Sequence, residues 1–340
     1  VTNFSSKKII PHSKTTLDQR DRQAVMDTLA NGRITAGVIT RNFQEKVGEY
    51  LGKEYVRLCS SGTMALYTIL SALEVKPEDE VLLPTYVCPS VYHAVKRSGA
   101  QPVLYDNDRQ SWLSSFEKIS TRVTRQTRAI IVVHTFGIYF RDMEKLKSLN
   151  VPIIEDCAHA FTPTINGKPI SQGSLCSFYS FNATKLLAVG EGGAAATDDR
   201  YFAGKLRESA LDSGLSDLNC ALGISQLNRY RSFLERRAEI ANLYFEKLGP
   251  IAHDIKQYDS IYFRFPIFVE DDSPFFNSHV LFKKGVDSLV HHRLNMNKSP
   301  FMNAEEVFNK TISIPIYPSL QPGEIDEIID ETQKLYAQTQ

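Results

Sequence analysis

Along the first two hundred positions, short apolar runs alternate with stretches whose apolar residues recur every three to four positions. The short runs read as strands at Tyr55–Cys59, Glu80–Pro84, Pro102–Asp106, Arg128–His134, Pro152–Asp156, Cys176–Phe181 and Gly193–Thr197. In AIIVV and VPIIE polar residues hardly interrupt the run, as strands covered on both faces require. Thr63–Leu73 (TMALYTILSAL) and Met143–Leu149 (MEKLKSL) carry helical spacing. The alternation predicts an α/β fold, a mostly parallel seven-stranded sheet with helices on both faces.

After Thr197 the pattern changes. From Ser216 to Leu248 the apolar residues, among them Leu218, Leu222, Leu227, Phe233, Leu234, Leu243 and Tyr244, keep helical spacing and predict one long helix. Gly249-Pro250 would stop it. The rest mixes strand-like IYFRFPIFV with turn clusters and ends in the helical PGEIDEIIDETQKLY. At 340 residues the chain is long for one compact domain. The expected division is a large domain over residues 1–235, its N-terminal segment packing on the small domain, and a smaller α+β domain over 236–340.

Composition excludes several classes. Hydrophobic residues make up 42% and charged ones 23%, enough apolar material for a real core. Lys+Arg and Asp+Glu both number 39, so no excess charge advertises a nucleic-acid or membrane surface. Cys59, Cys88, Cys157, Cys176 and Cys220 are scattered, without a CxxC pair, and read as reduced thiols of a cytoplasmic protein. Neither a signal-type leader nor a membrane-length apolar run is evident.

Three features stand where an α/β sheet keeps its ligands, at the carboxyl ends of strands. Ser60-Ser61-Gly62-Thr63 precedes a helix, so its backbone N–H groups suit an anion; an ordinary helix cap would look the same. Glu155-Asp156 ends VPIIED, where a carboxylate suits a helix cap or the protonated ring nitrogen of a heterocycle. His159 shares a face with Asp156 if that turn is helical, but no set of ligands suits a metal ion. Lys185, in SFNATKLLAVGEGG, lies in a small and apolar neighbourhood. Partial desolvation there would free its amine for Schiff-base chemistry, whereas a surface lysine before a hairpin would do nothing of the kind. The phosphate-loop, dinucleotide, serine-elbow and zinc-hydrolase motifs are all missing.

In this order the three features resemble the DegT/DnrJ/EryC1/StrS family of sugar aminotransferases. The resemblance runs through GRITAGVITRNFQEKVGEYLGKEYV, SSGTMAL, GAQPVLYD, VHTFG, PIIEDCAHA and SFYSFNATKLLAVGEGGAAATDD, then ALGISQL and ISIPIYPSLQPGEIDEII. It implies pyridoxal-phosphate fold type I, the aspartate aminotransferase-like architecture. Lys185 would form the internal aldimine and then shuttle the proton, while Asp156 would pair with the pyridinium nitrogen. Gly62, Thr63 and the backbone of Met64 would hold the phosphate, with Ser180 adding a contact. The cofactor would cycle between pyridoxal and pyridoxamine phosphate. Glutamate or glutamine would donate the amine to a keto-sugar, commonly nucleotide-linked, and a homodimer would complete each site.

Some positions depart from the family pattern. His159 stands where many members carry glutamine. The aromatic residue that often stacks on the cofactor ring aligns with Cys88, with Tyr86 as the substitute. The segment RYFAGKLRESALDSGLSDLN is short, with Asp212 or Ser213 near the place of an asparagine that serves the partner's phosphate and Asn219 a turn or two later. His291, beside His292, and Arg264 are candidates for substrate contact, each with an ordinary loop or strand-edge reading alongside. Two further functional readings are a cofactor-binding regulator or inactive partner subunit, and a sugar dehydratase. The dehydratases replace the lysine by histidine, so Lys185 speaks against that reading.

Overall fold

The computed structural model describes residues 8–209 and 214–339. Its centre is a seven-stranded sheet of β1 (Tyr55–Cys59), β2 (Glu80–Pro84), β3 (Gln101–Tyr105), β4 (Thr127–Val133), β5 (Ile153–Asp156), β8 (Cys176–Ser180) and β9 (Gly193–Thr197). A small hairpin, β6 (Thr164–Ile165) with β7 (Lys168–Pro169), interrupts the series. The spatial order is β1-β9-β8-β5-β4-β2-β3. β9 runs antiparallel to both of its neighbours, and every other pairing is parallel. The sheet is therefore mostly parallel, and each strand expected from the sequence is present with ends shifted by at most a residue or so.

Alternate side chains of one strand enter different cores, which is why the central runs lack polar residues. Ala129, Ile131 and Val133 of β4 join the core beneath the helix Gly62–Ala72, while Ile130 and Val132 face Leu82, Tyr105 and Ile153 on the other side. A third cluster, around Phe43, Phe161, Tyr179 and Phe181, fills the space beneath the helix Val38–Leu51. Strand periodicity of two distributes one sequence run over two apolar layers.

A second, antiparallel sheet has β12 (Thr311–Ile314) between β10 (Phe265–Phe268) and β11 (Lys283–Lys284). Its buried residues Phe265, Ile267, Ile312 and Ile314 belong to the same continuous core as Leu66 and Ile131 of the central unit. Trp112, the single tryptophan of the chain, sits at the seam. It leaves the loop after β3, stacks on Phe268 at 4.6 Å and donates its indole N–H to Thr311 Oγ1 at 2.9 Å. From the N-terminal side, Ile10 bridges Val280 and is fully buried. No helix among the described residues is long and apolar enough to cross a membrane.

The expected long helix is two helices, Asp217–Leu227 and Tyr230–Leu248. The break falls at Asn228-Arg229, where Arg229 takes a φ of −113° and a ψ of −1° and its N–H bonds three residues back, to Gln226. Neither glycine nor proline causes it. The Arg229 guanidinium is drawn onto Asp18 at 2.7 Å and Asp21 at 2.5 Å, at the start of the helix Gln19–Ala30. Apolar spacing is preserved across the break, so periodicity alone reads straight through it. Gly249, at a φ of +54°, ends the second helix where Gly249-Pro250 said it would. The expected domain boundary at 235/236 falls inside this helix.

Candidate active site

A cleft of about 350 Å³ opens at the carboxyl ends of β1, β2, β4, β5 and β8. Gly62, Thr63, Tyr86, Cys88, Asp156, His159, Ser180, Lys185 and Arg264 all line it. Residues separated by two hundred positions in the chain thus converge on one cavity.

Lys185 rides on the connection from β8 to β9, and this connection is a braced hairpin. Phe181 N–H bonds Gly192 O at 2.8 Å, Ala183 N–H bonds Gly190 O at 2.8 Å and Val189 N–H bonds Phe181 O at 2.9 Å. Gly190 takes a φ of +92°, a conformation that favours glycine. The Asn182 side chain ties Glu191 at 2.9 Å. Hairpin and cleft lysine, which stood as rival readings, are both present. The Lys185 Nζ lies 5.2 Å from the centre of the Phe263 ring. Burial lowers its pKa to about 8, against the opposing pull of Asp156 and Cys88.

Asp156 ends β5 with its carboxylate buried. No helix follows, so it caps none; its Oδ1 accepts the N–H of Ala158 at 2.9 Å across a non-helical turn. Burial raises its pKa to about 6, although Ala158 N–H and Lys185 pull the other way. For both Asp156 and Lys185 desolvation outweighs mutual attraction. A carboxylate so placed gains from a cation brought against it.

His159 does not reach its position by helical spacing. Its ring lies between Phe263, at 4.2 Å and 19°, and Phe136, at 6.4 Å and 9°. Its Nδ1 accepts the backbone N–H of Phe136 at 3.2 Å. Burial, then the charges of Lys185 and Arg264, hold its pKa well below the usual histidine value. The ring is therefore neutral with its proton on Nε2. Phe136 itself adopts a φ of +60°, rare for a bulky residue. This strained turn aims its N–H at His159.

At the end of β1, Ser61 caps the helix Gly62–Ala72 through Oγ, which accepts the N–H of Met64 at 3.1 Å. Met64 was expected to offer that N–H to a phosphate. The cap already uses it, and Met64 does not line the cleft. Gly62 and Thr63 remain as first-turn residues, whose N–H groups have no partner within the helix. A Cβ on Gly62 would stand 3.0 Å from Ser180 Cβ and 3.4 Å from Tyr179 O, so glycine lets the helix begin this close to β8.

Tyr86 is fully buried and packs edge-on to Phe136 at 6.2 Å, forming a wall of the cleft. Cys88 is exposed, with its Sγ 3.1 Å from Ser90 Oγ. Arg264 is held by Lys284 O at 3.2 Å and Gly285 O at 3.0 Å. His291 does not reach the cleft. Its buried ring is stacked on Phe301 at 4.6 Å, bonded to Thr85 Oγ1 at 2.7 Å and to Glu305 at 2.8 Å, so its nitrogens are spent on packing the wall. His292 meets the same Glu305 carboxylate. Asp212 and Ser213 lie outside the described residues. Asn219 bonds Val189 O at 2.7 Å and Ser216 Oγ, which ties it to its own chain.

Sequence reasoning overlooked Phe263, which meets His159, Lys185 and Arg264 together. Its neighbour Arg264 was noticed for its charge, whereas a phenylalanine in a strand-like run carries no chemical flag. It also overlooked the buried pair behind Asp156, in which His134 Nε2 bonds Glu155 Oε2 at 2.9 Å. Burial alone would push Glu155 up, but His134 holds it below the usual carboxylate value.

Known proteins resemble the chain over nearly its whole length. GDP-perosamine synthase of Escherichia coli O157:H7 is 26% identical over 367 residues, covering 97% of this chain and 99% of its own. The aminotransferase TlmJ from Streptoalloteichus hindustanus superposes with a TM-score of 0.89 at 24% identity, covering 98% of this chain and all (100%) of its own. NtdA from Bacillus subtilis, solved with bound cofactor PMP, gives 0.83 at 23% identity, covering 98% and 87%. The two superpositions establish a shared fold. The profile of the DegT/DnrJ/EryC1/StrS aminotransferase family matches residues 15–333, and the chain belongs to that aminotransferase family.

Proposed function

We propose that the enzyme transfers an amino group from glutamate or glutamine to the keto group of a nucleotide-linked sugar, with Lys185 as its catalytic residue. The observation that carries this reading is the placement of Lys185 and Asp156 in one cleft beside the glycine-lined corner of Gly62 and Ser180. The name of the Escherichia coli relative, GDP-perosamine synthase, supports a sugar joined to a nucleotide.

The residues present fit pyridoxal phosphate. The end of the cleft lined by Gly62, Thr63 and Ser180 suits a phosphate, met by first-turn N–H groups and the hydroxyls of Thr63 and Ser180. The buried Asp156 carboxylate suits a protonated ring nitrogen, which would return it to the charged form that burial disfavours. When bound, the cofactor supplies an electron sink for the charge left as a proton departs the donor α-carbon. Asp156 keeps the ring nitrogen protonated. Lys185, about a tenth neutral at pH 7 for a pKa near 8, holds the cofactor and then carries the proton between carbon atoms. His159, neutral, offers Nε2–H from its place between the rings of Phe263 and Phe136.

The enzyme acts as a homodimer in this reading. Leu17, Met26, Leu29, Ile34 and Val38 expose apolar side chains within residues 17–38, a segment that a second copy would cover. Sedimentation at micromolar concentration should give twice the chain mass, 38.4 kDa, and a monomer would remove the claim.

The test of function is the visible spectrum of the purified protein with pyridoxal phosphate, before and after L-glutamate or L-glutamine. A yellow band that bleaches with a donor, and is absent from Lys185→Ala, is the expected result. A band indifferent to both donors would replace the enzyme reading with that of a binding or regulatory subunit.

A further inference from the structure

We infer that Arg264 is an anion-binding residue that receives the α-carboxylate of the amino donor, so that donors are selected as α-amino acids. This rests on the aminotransfer reading above and adds to it the group by which the donor is recognised.

Arg264 brings a half-buried guanidinium to the cleft. Its backbone N–H bonds Phe136 O at 3.4 Å, and its Nη1 donates to the carbonyls of Lys284 and Gly285. Carbonyls orient a guanidinium without neutralising it. Among the described residues Arg264 forms no ion pair, and Nε and Nη2 have no hydrogen-bond partner. Asp287 acts on it only through space and is itself exposed. A cation taken partly out of water without an anion in contact is costly, and a bound anion removes that cost. The two carbonyls also fix the plane of the fork beforehand, so less freedom is lost when an anion docks.

The position selects which anion. Lys185 Nζ and Arg264 Cζ lie 5.2 and 5.8 Å from the centre of the same ring, Phe263. The cation thus belongs to the neighbourhood of the reactive amine. The glycine-lined corner of Gly62 and Ser180 already suits the cofactor phosphate. In an α-amino acid the carboxylate is one bond from the carbon that bears the amine, so a cation near Lys185 is well placed for it. The diphosphate of a nucleotide sugar is separated from its keto carbon by the sugar ring. Both sources offer oxyanions to a guanidinium fork, and experiment separates them.

The test uses the holoenzyme with Arg264→Gln and Arg264→Lys. Bleaching of the visible band against L-glutamate concentration gives the donor Kd and the limiting rate. Calorimetry with GDP and UDP probes the diphosphate. The expected result is a roughly 10- to 100-fold higher Kd for L-glutamate in Arg264→Gln, the range for hydrogen bonds to a charged group. Partial recovery in Arg264→Lys, an unchanged band and unchanged nucleotide affinity complete the expected pattern. Weakened GDP or UDP binding with glutamate unaffected would move the anion to the acceptor and overturn the inference. Unchanged binding of all three would make Arg264 a wall residue, and loss of the band would make it a cofactor residue. If the native enzyme itself ignores glutamate and glutamine, the aminotransfer reading fails, which the native sample alone reveals.

Discussion

Replacing Asp156 by asparagine should make Lys185 more reactive toward a simple aldehyde while crippling the enzyme. Burial is the largest influence on Lys185, and the Asp156 carboxylate is the largest one opposing it. An amine at the ordinary value of 10.5 is only about 0.03% free at pH 7; one at about 8 is about a tenth free, a gain of about 300-fold. Without the carboxylate, Cys88 alone is left to oppose burial and the midpoint falls below about 8. Because a tenth of the amine is free already, the further gain at pH 7 is bounded at about tenfold. The assay is stopped-flow absorbance with salicylaldehyde, which offers an aldehyde but no ring nitrogen for Asp156 to hold. Lys185→Ala supplies the background from other lysines. The rate should rise with pH through a midpoint near 8 in the native protein and at a lower pH in Asp156→Asn. The glutamate half-reaction of the variant should meanwhile fall at least about 100-fold, as expected when a general acid–base and charge-holding arrangement loses its anion. A midpoint that stays put or moves up would refute the electrostatic account of the cleft.

Three other outcomes follow from the same structure. Gly62→Ala should cost about 1–3 kcal/mol of stability and weaken pyridoxal phosphate binding by roughly tenfold or more, because the new Cβ meets Ser180 Cβ at 3.0 Å and pushes the first turn of its helix off β8; denaturant unfolding and fluorometric titration measure the two. Lys185→Met should abolish the visible band yet stabilise the cofactor-free protein by about 1–3 kcal/mol at neutral pH. The folded-state pKa lies below the unfolded one, so the penalty for the ammonium is full below pH about 8 and fades as pH rises toward 10.5; thermal melts of both proteins at pH 7 and at high pH test the sign. Arg237→Ala should cost about 3–5 kcal/mol in denaturant unfolding, since the buried guanidinium satisfies the carbonyls of Tyr262, Phe263 and Ile316.

The sheet was legible because each strand is a burial pattern, and burial pattern is what hydrophobic spacing records. Val81 and Leu83 against Leu82 show period two directly. Lys185, Asp156, Gly62 and Ser180 could be singled out because their residue types are chemically distinctive beside strand ends. Phe263 and the strained Phe136 could not, since their importance lies in what they touch across long sequence separations. His291 misled for the converse reason: a polar residue suggests a ligand, and only three-dimensional contacts show its nitrogens engaged by Thr85 and Glu305. The break at Asn228-Arg229 was hidden because two residues outside the helices, with Arg229 anchored by Asp18 and Asp21, leave the apolar stripe in phase.

The placement of Trp112 makes this protein its own optical instrument. With one indole in the whole chain, every photon of tryptophan emission originates at the junction between the two sheets. Loosening of the small antiparallel sheet would break the stack on Phe268 and the bond to Thr311, wet the ring and shift its emission to longer wavelength. The visible band near Lys185 would report separately on the cleft. Recording both colours from one unlabelled sample during denaturation distinguishes a molecule that first releases its cofactor from one that first opens at the seam.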